Sequence, residues 1–431
     1  MTADRDLWSA LKVWAGIAAA SFGGPAGQIA VMHQQVVERL NWVSEKRFMA
    51  ALNLCLLLPG PEAQQLAIYL GWMSHGIRGA VLSGLVFILP GVLSILILSI
   101  LYVTWGDVPL VMAAFTGIKA AVLIIVVQAV HRLSGKAAQG MGLKLLALVS
   151  LCAAFLGVSF PLIVLCAGVA GWWLGRSAGA ATGASDAAQE DQTGQAALQG
   201  GWTAAGISAV LWVLPLCVLA LVAGSDHLMT SIAAYFAGLS VLSFGGAYAA
   251  LSWMAQHAVE AREWLTAGQM LDGLGLAEST PGPLITVTQY TGFMAAWNAG
   301  HGLGGAILAS LLTSWMIFAP GFVFIFALAP QVDRLLASRA MSAALAGISA
   351  AVLGVMLNLA LWFGLQTLFA EHHHLPLGWV SLDYPALSSL QLAPLLLVIA
   401  MGVAGFGLRV GLFRLLGLGA VGGICLSFLP V

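Results

Sequence analysis

The stretch GAVLSGLVFILPGVLSILILSILY, Gly79 to Tyr102, is followed after a short polar turn by PLVMAAFTGIKAAVLIIVVQAV, Pro109 to Val130. The first carries no Asp, Glu, Lys or Arg and the second only Lys119. Each is long enough to cross a bilayer as a helix, which takes about 20 apolar residues. The rest of the 431-residue chain has the same character, with 60% hydrophobic and 8% charged residues, against about 25% charged in a soluble domain. Backbone groups in hydrocarbon must be satisfied within their own segment or a closed barrel, and the alternation of a barrel strand is absent. The expectation is an all-α polytopic membrane protein. A net charge of −1 leaves no basic stripe for nucleic acid, so the lipid bilayer is the expected large partner. Cys55, Cys152, Cys166, Cys217 and Cys425 stand singly in apolar runs and read as small hydrophobes. No metal or other cofactor is expected, and no cleavable leader is read at the N-terminus.

The tract SAGAATGASDAAQEDQTGQAALQ, residues 177 to 199, is polar, rich in small residues and without an aromatic, as a flexible linker is. Sliding the second part over the first by 222 positions aligns Ser21-Phe22-Gly23-Gly24 with Ser243-Phe244-Gly245-Gly246, Trp42 with Trp264, and Pro59-Gly60-Pro61 with Pro281-Gly282-Pro283. An offset of 230 then aligns Pro90-Gly91 with Pro320-Gly321 and Gly117-Ile118 with Gly347-Ile348. The shift predicts eight extra residues near Asn298 to Gly305. The expected organisation is a first repeat at 1–176, a cytoplasmic linker at 177–202, an unpaired connecting helix at 203–228 and a second repeat at 229–431. Internal duplication of this kind is common in secondary transporters.

Lys and Arg mark the cytoplasmic side of short loops. In the first half they fit a cytoplasmic N-terminus, with 79–104 and 109–130 crossing, whether 8–37 and 48–74 are re-entrant or cross fully; the re-entrant form obeys the rule throughout. The unpaired helix reverses the orientation of the second half, so the repeats are expected to be inverted and the C-terminus periplasmic. Arg334 and Arg339 then return to the cytoplasm, and the outward loop with His372, His373 and His374 is given no role.

Ser21-Phe22-Gly23-Gly24-Pro25 and Pro59-Gly60-Pro61-Glu62 each interrupt an apolar helix and restart it, Pro suiting a first helical turn. The second half repeats both breaks at Ser243 to Gly246 and Pro281 to Pro283. A restart leaves unpaired N–H groups and about half a positive charge at a helix N-terminus. Four such ends would sum to about +2 as an upper bound, enough for a dianion. Candidate substrate-binding residues are therefore Ser21, Phe22, Gly23, Gly24, Pro25, Gln28, His33, Pro59, Gly60, Pro61, Gln64, Gln65, Ser243, Gly245, Gly246, Ser279, Thr280, Pro281, Gly282 and Pro283. Glu62 and Glu278 are candidates for a proton carrier or gate, Glu62 for substrate contact as well, with a helix-capping role as the alternative for such a carboxyl. Lys119, an ammonium inside a span, is expected to draw in the anion or to pair with Glu62, with snorkelling to an interface as the alternative.

The runs SFGGPAGQIAVMHQQVVE, LNWVSEKRF, LLPGPEAQQLAIYLGW and FILPG, with SFGG and STPGP in the second half, resemble the chromate ion transporter family, specifically its long two-domain members. Ala247 stands where Pro25 has its repeat counterpart. The resemblance implies chromate efflux across the inner membrane and chromate resistance, with sulfate as the competing look-alike and no enzymatic activity. Outward movement of a dianion from a negative interior gains about 4.6 kcal/mol per 100 mV. A sulfate or related oxyanion importer, and a membrane-embedded phosphatase or transferase, are the alternatives. Oligomeric state stays open, a homodimer being allowed for.

Overall fold

The structure is a computed structural model, and it describes residues 7–22, 24–137, 140–177, 200–244, 247–332, 338–377 and 380–428. It is helical almost throughout, as the backbone of a lipid-embedded chain has to be. Among the described residues, five helices are long and apolar enough to cross a membrane: Glu62–Trp105, Pro109–Gly135, Gly201–Val222, Gly302–Gln331 and Ala340–Leu368. The apolar stretches at 79–102 and 109–130 both fall inside such helices. The chain is a multi-pass membrane protein.

The first half opens with helices Leu7–Ala20 and Gly24–His33, a π-helical turn Gln34–Arg39, and helix Glu45–Leu57. At about 1.5 Å per residue the 14-residue first helix covers roughly 21 Å, short of the hydrocarbon thickness. The second half repeats the pattern with Leu228–Leu242, Ala247–Met254, the π-helical Ala255–Ala261 and Ala267–Ser279. Local geometry matches residue for residue. The Trp42 amide donates to the Val36 carbonyl at 2.8 Å and the Trp264 amide to that of Ala258 at 2.8 Å. The preceding Asn41 and Glu263 both take positive φ, 48° and 51°. In the long helix Glu62–Trp105, His75 and Gly76 are non-helical. The second half turns at the corresponding place, where helix Val287–Asn298 gives way to Gly302–Leu328, so the offset change coincides with a helix corner.

Two segments differ from expectation. Helix Gly201–Val222 starts slightly before the expected connecting span, and of the expected linker residues 178–199 lie outside the described residues. The segment expected as a histidine loop forms a hairpin, His372–Leu377 paired antiparallel with Val380–Pro385, His373 opposite Tyr384. It is inserted between Arg339–Leu368 and Leu392–Gly402, a place where the first half has only a short connection. Once out of lipid, a strand pair can satisfy its own backbone groups, so the rule that enforces helix ceases to apply.

The chain divides into two compact units, one of Met1–Leu96, Gly175–Ala250 and Thr280–Ser342, the other of Ile97–Leu174, Leu251–Ser279 and Ala343–Val431. Each draws on both halves. The core of the first unit gathers Trp14, Phe48, Trp72, Phe87 and Phe326, all essentially sealed. Two indole hydrogen bonds pin the connecting helix there, Trp212 Nε1 donating to Met316 O at 3.2 Å and Trp315 Nε1 to Leu211 O at 3.1 Å. In the second unit, helix Pro109–Ala137 packs on Leu412–Ser427 with Gly117 against Gly419 and Gly423. Helix Phe160–Ser177 meets Arg339–Leu368 with Ala167 and Gly171 against the repeat-equivalent Gly347. Small residues let these backbones touch, which is how helices gain packing energy in lipid.

Candidate functional site

The four helix interruptions meet in the first unit, and they meet crosswise. The Gly60 amide donates to the Ser243 carbonyl at 3.2 Å, and its repeat counterpart, the Gly282 amide, donates to the Ser21 carbonyl at 2.9 Å. Each Pro-Gly-Pro break of one half is thus tied to the Ser-Phe-Gly-Gly break of the other. Gly60 and Gly282 adopt φ of +105° and +109°, a region open to Gly and strained for other residues. Gly91 seats the second break so closely that a Cβ there would stand 2.8 Å from the Pro281 carbonyl oxygen. Its counterpart Gly321 lies against the Gln64 and Gln65 side chains.

Beside this crossing is a small pocket lined by Pro25, Gln28, Pro61, Glu62, Ala63, Pro283, Leu284 and Ile285. These are the opening residues of three restarted segments, Gly24–His33, Glu62–Trp105 and the 3-10 turn Leu284–Thr286 that leads into helix Val287–Asn298. Their first-turn N–H groups are the donors a helix leaves unpaired. Gln28 is fully buried, and neither its Oε1 nor its Nε2 has a hydrogen-bond partner among the described residues. Most buried polar atoms are paired, so an exception calls for an explanation. The cavity measures about 10 Å³, room for one water and too tight for a tetrahedral oxyanion. Glu62 opens its helix and lines the pocket.

Other candidates support the crossing. The Ser21 hydroxyl donates to Ile17 O at 2.6 Å and that of Ser243 to Ser240 O at 3.2 Å, closing the helix ends that precede the breaks. Gln65 Nε2 clamps its own turn by donating to Pro59 O at 2.6 Å, and Gln64 Nε2 reaches Phe318 O at 3.3 Å. Gly24 takes φ of +75° at the restart. Phe22 is half-buried just before it, and Thr280 is buried at the start of the second Pro-Gly-Pro break. Gly23, Gly245 and Gly246 lie outside the described residues.

Four expected site residues lie elsewhere. His33 sits at the far end of its ten-residue helix, where Nε2 meets Glu45 at 2.6 Å and Nδ1 meets Glu38 at 3.2 Å, the ring edge-on to Phe48. Two carboxylates already occupy both ring nitrogens. Ser279 is exposed and turns its hydroxyl back to Leu276 O at 2.8 Å. It belongs with the buried, partnered Glu278 to the second unit. Lys119, also in the second unit, pairs with Asp272 at 3.3 Å and not with Glu62. Tyr102 donates to the other Asp272 oxygen at 2.9 Å. Asp272 was missed in the sequence although it is an acid in an otherwise apolar run, MLDGLGLAE, the same signal that singled out Glu62.

Broken helices paired crosswise between two halves, inside a multi-pass bundle, define a membrane protein of transporter build. The chain belongs to the chromate transporter family, whose profile matches residues 8–172 and 230–424. A chromate transport protein of Pseudomonas aeruginosa is 33% identical over 342 residues, covering 78% of this chain and 76% of the relative. A probable chromate transport protein of Synechococcus elongatus is 27% identical, covering 90% and 92%. A chromate transport protein of Cupriavidus metallidurans is 28% identical, covering 78% and 77%. No solved structure matches the chain.

Proposed function

We propose that this chain exports chromate dianion from the cytoplasm across the inner membrane, by transport alone and without a catalytic step. The observation that carries the reading is the pocket itself: three helix starts and the unpaired Gln28 amide converge on one point inside an apolar bundle. Oriented N–H groups in a low-dielectric setting favour an anion, and the Gln28 Nε2 adds a donor for an oxyanion oxygen. The tightness of the cavity means that the breaks separate when the anion enters. Glu62 lines the same pocket, so its negative charge must be neutralised or moved aside before a dianion can occupy it. That is the physical content of a proton-carrying or gating role.

The reciprocal bonds Gly60 to Ser243 and Gly282 to Ser21 support a two-fold relation between the repeats. Together with the positive-inside pattern they favour an axis in the membrane plane, with the short helices before each break re-entrant. Membrane potential by itself favours outward movement of the dianion. Chromate uptake into inside-out vesicles bearing the protein tests the reading, with sulfate added as a competitor. Uptake that grows with an interior-positive potential and falls with added sulfate is expected. Uptake by right-side-out vesicles alone would replace export with import, and uptake of sulfate but not chromate would replace chromate with sulfate as the substrate.

A further inference from the structure

We infer that Asp272 is an internal counter-ion that competes with the transported oxyanion for the Lys119 ammonium, which makes Lys119 an anion-contacting group held in reserve; this rests on the chromate reading above. Lys119 comes from the first repeat and Asp272 from the second, on packed helices Pro109–Ala137 and Ala267–Ser279 of one unit. Gly275 allows the contact, since a Cβ there would collide with Ile118. The two side chains are unequally sealed, Lys119 being 25% exposed and Asp272 7%, so the lysine is the more accessible member of the pair.

The pair is also incomplete. Its 3.3 Å separation is longer than the roughly 2.7–2.9 Å of a well-formed charged hydrogen bond. Asp272 Oδ1 has no aligned hydrogen-bond donor, while Oδ2 is held by Tyr102 at 2.9 Å. An ammonium has three N–H donors, and among the described residues Lys119 pairs with Asp272 alone. Gly268 keeps the space beside it open, a Cβ there lying 3.4 Å from Nζ. The charged and titratable groups that bear on Asp272 are Lys119 and Tyr102. Tyr102 anchors the carboxylate to one side and so limits how firmly it can hold the lysine. An ion pair this far out of water is weak evidence of a stabilising role. In an anion carrier, a carboxylate that substitutes for substrate oxygens spares the site a bare charge when empty and speeds release when full.

The test is the concentration dependence of chromate uptake by inside-out vesicles, normalised to inserted protein, for the full chain and five variants. Asp272→Asn should lower the half-saturating concentration about tenfold, the weight of one charge-assisted hydrogen bond, and slow turnover. Lys119→Met should raise it by a similar factor, Lys119→Arg should restore most of the loss, and Asp272→Asn with Lys119→Met should resemble Lys119→Met alone. Tyr102→Phe, which frees Asp272 to hold Lys119 more closely, should raise the half-saturating concentration, and it carries the test if Asp272→Asn does not insert. A pair that only holds helices together predicts same-sign losses in both single variants and an unchanged half-saturating concentration in Tyr102→Phe; either result overturns the inference. Absence of uptake by the unaltered protein would strike the chromate reading instead.

Discussion

Replacing Gln28 with Leu removes a donor and an acceptor that are buried and unpaired among the described residues, so no hydrogen bond to those residues is lost. Relief of an unsatisfied pair of atoms is worth about 1–3 kcal/mol at most, and thermal unfolding in detergent should show an unchanged or raised Tm. Chromate transport should move the other way, with the half-saturating concentration up about tenfold. A Tm drop accompanied by normal transport would make Gln28 a packing residue. Glu62→Gln separates two roles that sequence leaves open. As a cap, Glu62 contributes roughly 0.3–1 kcal/mol through the helix dipole, and its amide variant would insert a little less well while exporting normally per molecule. As a carrier or gate it loses its charge with its shape kept, so insertion holds and export per molecule falls across pH 6 to 8. The second outcome is expected, because the carboxyl lines the pocket with Gln28.

Gly60 and Gly282 carry the crosswise ties at the level of elements, and their two conformations put different demands on a side chain. Gly60→Ala forces φ of +105° on Ala and brings a Cβ 3.0 Å from Gln65 Nε2, a movable side-chain tip; Gly282→Ala does the same at +109° but 3.0 Å from the Gly91 Cα, which cannot yield. Each should cost about 1–3 kcal/mol from backbone strain, Gly282→Ala the more, with export falling in the same order. Gly24→Ala, at φ +75° with open space around the Cβ, should cost strain alone. Equal, negligible losses in all three would mean that the breaks relax freely. The interruptions were legible because Gly and Pro announce them chemically. That each break pairs with the opposite half was not, since repeated motifs look the same whether they pair within a half or across it. The π-helical turns at Gln34–Arg39 and Ala255–Ala261 left no composition signal either, and neither did the hairpin, whose Leu-Pro-Leu and Val-Ser-Leu runs read equally as loop. Lys119 was found as an isolated charge, but its partner lies 153 positions away, and sequence pattern has no reach at that distance.

At the scale of the whole molecule, the expected orientation follows from an unequal count: among the described residues each half contributes matching helices, and Gly201–Val222 stands between them without a counterpart. One additional crossing reverses the second half relative to the first, so equivalent loops of the two halves should open on opposite sides of the membrane. The crosswise hydrogen bonds are compatible with a two-fold axis in either direction, along the membrane normal or within its plane, so the charges have to decide. A parallel arrangement would export the Arg339 end of helix Arg339–Leu368 to the periplasm, against the preference of Lys and Arg for the cytoplasmic side. Reporter fusions at three points check this in intact cells: within the linker tract at residue 190, in the hairpin connection at residue 378, and after Val431. The expected pattern is a cytoplasmic reporter active at the linker and a periplasmic one, such as alkaline phosphatase, active at the hairpin and at the C-terminus. A cytoplasmic C-terminus with a periplasmic hairpin would leave the last segments crossing once more than the inverted arrangement allows. A cytoplasmic hairpin would remove the inversion altogether, and would require the Gly60 and Gly282 ties to be related by an axis along the membrane normal.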